Sequence, residues 1–223
     1  KTLRHPGIPL VYDVEEDLTN SYLIEEYLEG ESLYALVKRL GSLSMKTAAE
    51  IGIQVCRLIQ FMNTADNPIL YLDLQPKNLL VCNGAVRLID FDHAQYAEDV
   101  TAFGERYGTI GFAAPEQYRG EPLDCRTDVY AIGALLYYMC RGEPPGNGFC
   151  LGDRSGTWEL DRIIRGCMAA EKDGRYQNAG KVEQALCELK TVLSEKHAIE
   201  SLTIVFAGAR PGIGTTHAAF GIS

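Results

Sequence analysis

Residues 71–80 read YLDLQPKNLL, and residues 81–92 continue as VCNGAVRLIDFD. The second stretch begins as a short apolar hairpin and ends in two carboxylates separated by a phenylalanine. Asp73 and Asn78 lie before the hairpin, and Asp90 lies after it. Carboxylate and amide oxygens are hard ligands of the kind that Mg²⁺ prefers. The pattern therefore predicts three oxygen-bearing side chains on two adjacent loops.

Composition limits the classes of protein to consider. The chain has 223 residues and a net charge of −9, with 46% hydrophobic and 23% charged residues. Such a length can hold one large domain, or one domain and a piece of another. The acidic balance argues against a nucleic-acid-binding protein, because it offers no basic stripe to neutralise phosphates.

Cysteine spacing and hydropathy indicate the compartment. The seven cysteines form no CxxC pair, so we expect reduced thiols in a cytoplasmic protein and no zinc site. The longest apolar run, residues 129–140, is much shorter than a bilayer span. We therefore expect no membrane segment within these residues.

Periodicity predicts strands near the start and helices afterwards. Residues 8–14 and 21–28 are apolar and separated by a polar turn, which predicts an antiparallel strand pair. Ser44 is expected to cap a long amphipathic helix, and Thr127 a second helix that is apolar on every side. A third amphipathic helix is expected to end near Glu195.

Further motifs follow the opening stretch in a fixed order. Residues 108–118 read GTIGFAAPEQY, residues 128–139 read DVYAIGALLYYM, and residues 171–179 read EKDGRYQNA. With the opening stretch, they resemble the motifs of a bacterial eukaryotic-like (Hanks-type) serine/threonine protein kinase. The resemblance runs from Leu3 to about Leu193. It implies an α+β, protein-kinase-like fold over residues 1–195, mainly the helical C-lobe with part of the N-lobe sheet.

The resemblance also implies roles for individual residues. Asp73 would accept or orient the hydroxyl of a protein serine or threonine, while Asn78 and Asp90 would bind Mg²⁺ on the phosphates of ATP. Backbone groups at Glu26 and Leu28 would form the hinge that bonds adenine. As an isolated feature, that stretch is only a strand end.

Support residues are implied in the same way. Glu116 and Arg175 would form a buried ion pair, and Asp128 would accept hydrogen bonds from the loop around Asp73. Thr109 resembles the threonine that serine/threonine kinases place near this aspartate, which favours such a substrate.

Three departures from the kinase pattern affect the expected chemistry. Leu72 replaces an arginine that pairs with a phosphorylated loop, so we expect activity independent of phosphorylation at Thr101 and Tyr107. Gln75 replaces a catalytic lysine, which removes a positive charge from the site. Asp92 replaces a glycine, which predicts lost backbone freedom beside Asp90.

The two ends of the chain carry weaker expectations. The glycine-rich loop and strand lysine of a kinase are missing before Leu3, so we expect an N-terminally truncated domain that is inactive as given. Residues 196–223 are expected to be a linker and the start of a possible P-loop NTPase domain. Residues 202–219 resemble the opening of a ParA/MinD-like ATPase but lack the lysine after the last glycine, Gly214, and a simple glycine turn remains the alternative.

The sequence thus predicts a protein serine/threonine kinase that uses ATP and Mg²⁺. Two alternatives remain open at this point. One is a pseudokinase that binds nucleotide or a partner without turnover, and the other is a small-molecule kinase of the same fold.

Overall fold

The computed structural model describes residues 3–100, 108–146 and 158–200, with the backbone alone for residues 196–200. The chain divides into two compact units, Lys1–Lys190 and Thr191–Ser223. The predicted P-loop-like stretch at residues 202–219 lies outside the described residues. Helices mix with small antiparallel sheets, which agrees with the predicted α+β class.

The predicted strand pair is present near the start of the chain. Strand β1 (Val11–Glu16) pairs antiparallel with β2 (Ser21–Glu25). The turn is held by the Asp17 carboxylate, which accepts hydrogen bonds from the backbone N–H groups of Thr19 and Asn20 at 2.7 and 2.8 Å. The second strand ends three residues earlier than predicted, which leaves residues 26–28 as an extended segment outside the sheet.

Two further small sheets surround the decisive stretch of sequence. One has the order β3 (Glu31–Ser32), β5 (Leu79–Cys82) and β6 (Ala85–Leu88), and the other pairs β4 (Ile69–Leu70) with β7 (Gln95–Tyr96). Asn83 and Gly84 both have positive φ and close the predicted hairpin with a tight two-residue turn. This hairpin brings the loops on its two sides together.

The core lies around two long helices. Helix α1 (Leu33–Leu40) precedes α2 (Met45–Asn63), whose cap is the predicted Ser44; its hydroxyl accepts from the Thr47 N–H at 3.1 Å. Helix α3 (Pro115–Arg119) is short, and α4 (Cys125–Arg141) is buried along most of its length. Large side chains with almost no exposure fill the space between α2, α4 and their neighbours: Leu33, Leu58, Ile59, Met62, Ile132, Leu135 and Leu136.

The predicted cap of α4 is wrong. The helix begins earlier, with Asp124 as the cap residue, whose carboxylate accepts from the Arg126 N–H at 2.9 Å. Thr127 lies one turn inside, where its hydroxyl accepts from the Asp124 N–H at 3.3 Å and donates to Glu116 at 3.0 Å. An aspartate and a threonine three apart form a reciprocal capping box, and the sequence signal fits either residue.

Two more helices complete the described part of the chain. Helix α5 (Trp158–Cys167) packs on α4, and α6 (Ala179–Glu200) carries the apolar stripe predicted at Val182, Ala185, Leu186, Leu189 and Leu193. Val182, Leu186 and Leu189 are buried, whereas Ala185 and Leu193 are half-buried. The predicted end of α6 near Glu195 is wrong, because the helix continues to Glu200, into the residues predicted to begin a linker. Residues 195–200 contain no glycine or proline that would stop it. None of the described helices is both long and apolar enough to cross a membrane.

Candidate active site

Asp73 is the centre of a cluster of hydrogen bonds. Its Oδ1 accepts from the Thr109 hydroxyl at 2.8 Å. Its Oδ2 accepts from the side-chain amides of Gln75 at 2.8 Å and Asn78 at 2.9 Å. The structure therefore brings together four of the predicted site residues, and all three donors to the carboxylate are neutral.

The backbone before Asp73 is strained and is held at both of its polar groups. Leu72 has φ of +66°, a left-handed conformation that is unfavourable for a leucine. Its N–H donates to Asp128 Oδ1 at 2.9 Å, and its carbonyl accepts from Gln117 Nε2 at 2.9 Å. Such a conformation persists because the surrounding contacts fix it.

Asp128 anchors the loop from inside the core, as expected from the sequence. Its Oδ2 accepts from the Tyr71 N–H at 3.0 Å and from Asn63 Nδ2 at 3.2 Å, in addition to the Leu72 contact. Burial raises the pKa of the Asp128 carboxyl, while these hydrogen bonds oppose the rise. The carboxylate thus joins α4 and α2 to the loop that carries Asp73.

Tyr71 connects this loop to the one that follows the hairpin. Its hydroxyl lies 2.5 Å from the Ile89 carbonyl oxygen and 2.8 Å from that of Asp90, and donates between them. Its ring meets Phe91 edge-on, with 5.5 Å between centroids. Burial, and then the nearby charges of Asp90 and Asp73, raise the pKa of this hydroxyl well above its usual range. It therefore remains a donor at neutral pH.

The second predicted metal-binding loop has its strain at Asp90. Asp90 has φ of +64° and an exposed side chain, whose Oδ1 accepts from the Asp92 N–H at 3.3 Å. Asp92 is not among the described residues with positive φ. The backbone conformation at Asp92 therefore does not require a glycine, and the predicted loss of backbone freedom stays a prediction.

A cavity of about 1630 Å³ lies beside these loops. Apolar and aromatic side chains line part of it, including Ile8, Val11, Leu80, Phe91 and Tyr96. The predicted hinge residues Glu26 and Leu28 also line it. The Glu26 N–H donates to the Leu10 carbonyl at 2.8 Å, and its carboxylate pairs with Arg87 at 2.6 Å.

The segment after Thr109 is tied to the body of the domain by an ion pair. Arg175 donates from both terminal nitrogens to the two oxygens of Glu116, at 2.6 and 2.8 Å, and both side chains are almost fully buried. Burial opposes ionisation of Glu116, but the hydrogen bonds from Arg175 and Thr127 outweigh it and lower the pKa. The predicted pair is thus present.

Comparison with known proteins gives the family of this arrangement. The sequence model of one family, described as a protein kinase domain, matches residues 1–203. The chain belongs to the protein kinase family. Protein kinases as a family use ATP and divalent metal ions, and they act on proteins.

Several bacterial kinases are similar to this kinase domain. It is 31% identical over 214 residues to the serine/threonine-protein kinase PknB of Mycolicibacterium smegmatis and 30% identical over 210 residues to PknB of Mycobacterium tuberculosis. Both matches cover 82% of this chain and 33% of the relative. A probable serine/threonine-protein kinase of Corynebacterium efficiens is 36% identical over 210 residues, covering 81% of this chain and 32% of the relative.

These comparisons agree with the serine/threonine kinase predicted from the sequence. The chain spans about a third of the length of the curated relatives that it matches.

The sequence did not indicate the roles of two residues of this kinase domain, Tyr71 and Gln117. Tyr71 lies directly before Leu72, which departs from the kinase pattern. The sequence does not indicate which groups the Tyr71 hydroxyl contacts. Gln117 follows Ala-Pro-Glu and accepts from the Ala114 N–H at 2.9 Å while donating to Leu72. Ala114 is close in sequence but Leu72 is 45 residues away, so only the fold identifies Gln117 as a link between the two segments.

Proposed function

We propose that this kinase domain transfers the γ-phosphoryl group of ATP to a serine or threonine hydroxyl of a protein. The observation that carries the proposal is the Asp73 carboxylate, with neutral donors on both oxygens. A carboxylate held in one orientation can accept the proton of an approaching hydroxyl. Thr109, which touches Asp73, supports a substrate of serine or threonine type.

In the proposed step, the substrate oxygen forms a bond to the γ-phosphorus while the bond from that phosphorus to the ADP oxygen breaks. The hydroxyl proton passes to Asp73. Because the transition state of phosphoryl transfer is loose, positioning and charge stabilisation supply most of the catalysis. The contacts that hold Leu72 and Asp73 in place are therefore the main contribution of this loop.

The residues present fit a divalent metal ion together with ATP. Among the described residues that line the cavity, Arg4 is the one basic side chain, whereas six carry carboxylates: Glu25, Glu26, Asp66, Asp90, Asp92 and Asp99. This lining would repel a triphosphate unless cations balance its charge.

Asp90 and Asn78 would hold that ion. Mg²⁺ is commonly bound by one or two protein oxygens plus substrate phosphates. A cluster of three acidic, histidine or cysteine ligands is therefore not needed, and the described residues contain none. The ion would supply positive charge to the phosphates.

The hinge proposal rests on two residues of the cavity lining. Glu26 and Leu28 line it, and within the part of the chain that the structure describes, the Leu28 peptide groups make no hydrogen bond. Peptide groups without a protein partner, in a cavity lined partly by apolar side chains, can pair with the edge of a purine. This supports an adenine nucleotide as the ligand.

The test is transfer of the γ-phosphate of ATP to a generic protein substrate by the full-length protein. We expect Asp73→Asn to lower kcat by at least about 100-fold, because the variant cannot accept the proton. The matched control is Asp173→Asn, which changes an exposed carboxylate of the 3₁₀ turn Lys172–Gly174 and should leave kcat unchanged. Equal activity of the Asp73 variant and the wild type would overturn the proposal.

Gln75 favours one alternative, a pseudokinase, because a neutral amide stands where the family places a cation. A folded full-length protein that binds ATP without transferring phosphate would establish that alternative. A small-molecule kinase has less support, because the segment 108–118 with its ion-paired anchor suits the docking of a peptide.

A further inference from the structure

We propose that a small basic surface beside the catalytic loop, formed by Tyr34, Lys38 and Lys77, binds an acidic side chain of the protein substrate. The proposal rests on the function proposed above and specifies the substrate for the same site. It predicts a preference for substrates that carry aspartate or glutamate near the accepting hydroxyl.

The surface is built from α1 and the 3₁₀ turn Pro76–Asn78. Lys38 and Tyr34 lie four residues apart and so share one face of α1. The Lys38 Nζ lies 5.9 Å from the centroid of the Tyr34 ring, and the Lys77 Nζ lies 5.5 Å from the same centroid. Both distances are within the range of cation–π contacts. The ring therefore holds two ammonium groups close together at the surface.

Lys77 is placed next to the catalytic loop by its neighbours. It lies between Gln75 and Asn78, whose side-chain amides both donate to the Asp73 carboxylate. The turn is closed by the Asn78 N–H, which donates to the Gln75 carbonyl at 3.0 Å. Lys77 itself is exposed. Its backbone is thus fixed beside Asp73 while its charge is available to a substrate.

Buried aromatic side chains connect Tyr34 to the segment proposed to dock a peptide. Tyr34 lies near Tyr138, and its proximity adds to the effect of burial that raises the pKa of the Tyr138 hydroxyl. Tyr138 in turn meets Phe112 edge-on, with 5.7 Å between ring centroids. Phe112 belongs to the segment that begins with Thr109, which touches Asp73. A peptide seated over Asp73 and this segment would therefore pass close to the two lysines.

In the part of the chain that the structure describes, the charges of Lys38 and Lys77 are not balanced by a carboxylate in direct contact. Within the described residues, neither Lys38 nor Lys77 makes an ion pair, whereas Lys172 pairs with Asp124 at 3.0 Å. The chain as a whole carries a net charge of −9. Two unpaired cations on one ring in an acidic protein form a local site of opposite sign, and charge complementarity selects a carboxylate.

The test measures phosphorylation of a set of peptides by the full-length protein. One serine or threonine acceptor is flanked by alanines, and a single glutamate or lysine is placed at each neighbouring position in turn. We expect glutamate at one position to raise kcat/KM about three- to fivefold over alanine, since exposed ion pairs contribute effects of this size. Raising the salt concentration should reduce the preference.

Charge reversal identifies the residues responsible. The double variant Lys38→Glu/Lys77→Glu should lose the preference for glutamate and instead favour lysine at the same position. Lys181→Glu reverses an exposed lysine in the first turn of α6 and should keep the wild-type preference. A preference unaffected by the double variant, or no preference in an active wild type, would overturn this inference while leaving the proposed function intact.

Direct binding separates this inference from failure of the proposed function. If no peptide is phosphorylated, fluorescence anisotropy with the glutamate peptides still tests the surface. Binding that weakens at least threefold in the double variant, but not in Lys181→Glu, would support the site. Equal binding by all variants, or binding by none, would overturn it.

Discussion

At the scale of a residue, Gln75 is a position where the chemistry of this site departs from the kinase pattern. Its amide lies 2.8 Å from Asp73 Oδ2, so it replaces a cation with a neutral donor. A hydrogen bond from an ammonium group to a carboxylate is roughly twice as strong as a neutral one. The amide still orients Asp73, but it contributes less charge to the transferred phosphate.

Substitutions at Gln75 should distinguish its role in orienting Asp73 from the effect of a positive charge at this position. We expect Gln75→Ala to lower kcat about five- to tenfold, because one hydrogen bond to Asp73 is lost. Gln75→Lys restores a donor and adds a positive charge, so its kcat should equal or exceed that of the wild type. Steady-state kinetics with saturating ATP provides the measurement. A fully active alanine variant would show that Gln75 has no part in positioning Asp73.

At the scale of an element, the Glu116–Arg175 pair holds the segment after Thr109 against the helical core. Arg175 also donates to the backbone carbonyls of Ala169, Ala170 and Arg126, so its guanidinium is satisfied on every side. Removing one partner of such a pair leaves a buried charge without compensation. The pair is therefore more sensitive to mutation than a surface ion pair.

Glu116→Ala should lower the free energy of unfolding by about 3 to 5 kcal/mol. The matched control is Glu121→Ala, which removes an exposed carboxylate 3.7 Å from Arg119 and should change the stability by less than about 0.5 kcal/mol. Urea denaturation of both variants and the wild type gives the comparison. Similar small effects at the two positions would contradict the structural role given to the buried pair.

The same pair should make stability depend on acidity. Because the folded-state pKa of Glu116 is lowered, its ionised form stabilises the fold above the usual glutamate pKa of about 4.3. That stabilisation is lost as the pH falls through the lowered pKa. The difference in unfolding free energy between wild type and Glu116→Gln should therefore be largest near pH 7 and shrink below about pH 4. Urea denaturation at several pH values measures it, and a constant difference would count against the ion pair.

At the scale of the whole molecule, the C-terminal ends of helices α1 and α4 meet within the unit Lys1–Lys190. Gly41 follows α1, and Gly142 follows α4 with φ of +80°. A Cβ atom at Gly142 would lie 2.2 Å from the Gly41 carbonyl oxygen. Leu43, after the first of these glycines, donates its N–H to the Met139 carbonyl at 2.7 Å. These contacts leave no room for a side chain at residue 142.

Gly142→Ala should therefore destabilise the fold more than Gly84→Ala. Both glycines have φ near +80°, but a Cβ atom at Gly84 would meet nothing within 4 Å. We expect a loss of about 1 to 2 kcal/mol at Gly84 from backbone conformation alone, and at least about 2 kcal/mol more at Gly142 from the clash. Denaturant unfolding of the two variants and the wild type measures the loss of stability at each position. A smaller loss at Gly142 would mean that the two helix ends do not meet so closely.

The sequence by itself determined the family, the loops that carry Asp73, Asn78 and Asp90, and the helix capped by Ser44. Those features depend on the order of residues within short motifs and on the spacing of apolar residues, and neighbouring positions in the sequence determine both. The sequence did not determine which of Asp124 and Thr127 caps α4, because both fit the same short-range signal. Nor did it predict the extension of α6 to Glu200.

Tertiary structure alone decided the contacts across long separations. Gln117 reaches the Leu72 carbonyl, Tyr71 reaches Asp90, and Lys77 shares an aromatic ring with Lys38. Each contact joins segments that are separated along the chain and that the packed fold brings together. Since such pairings depend on packing, periodicity and residue type carry no local signal for them.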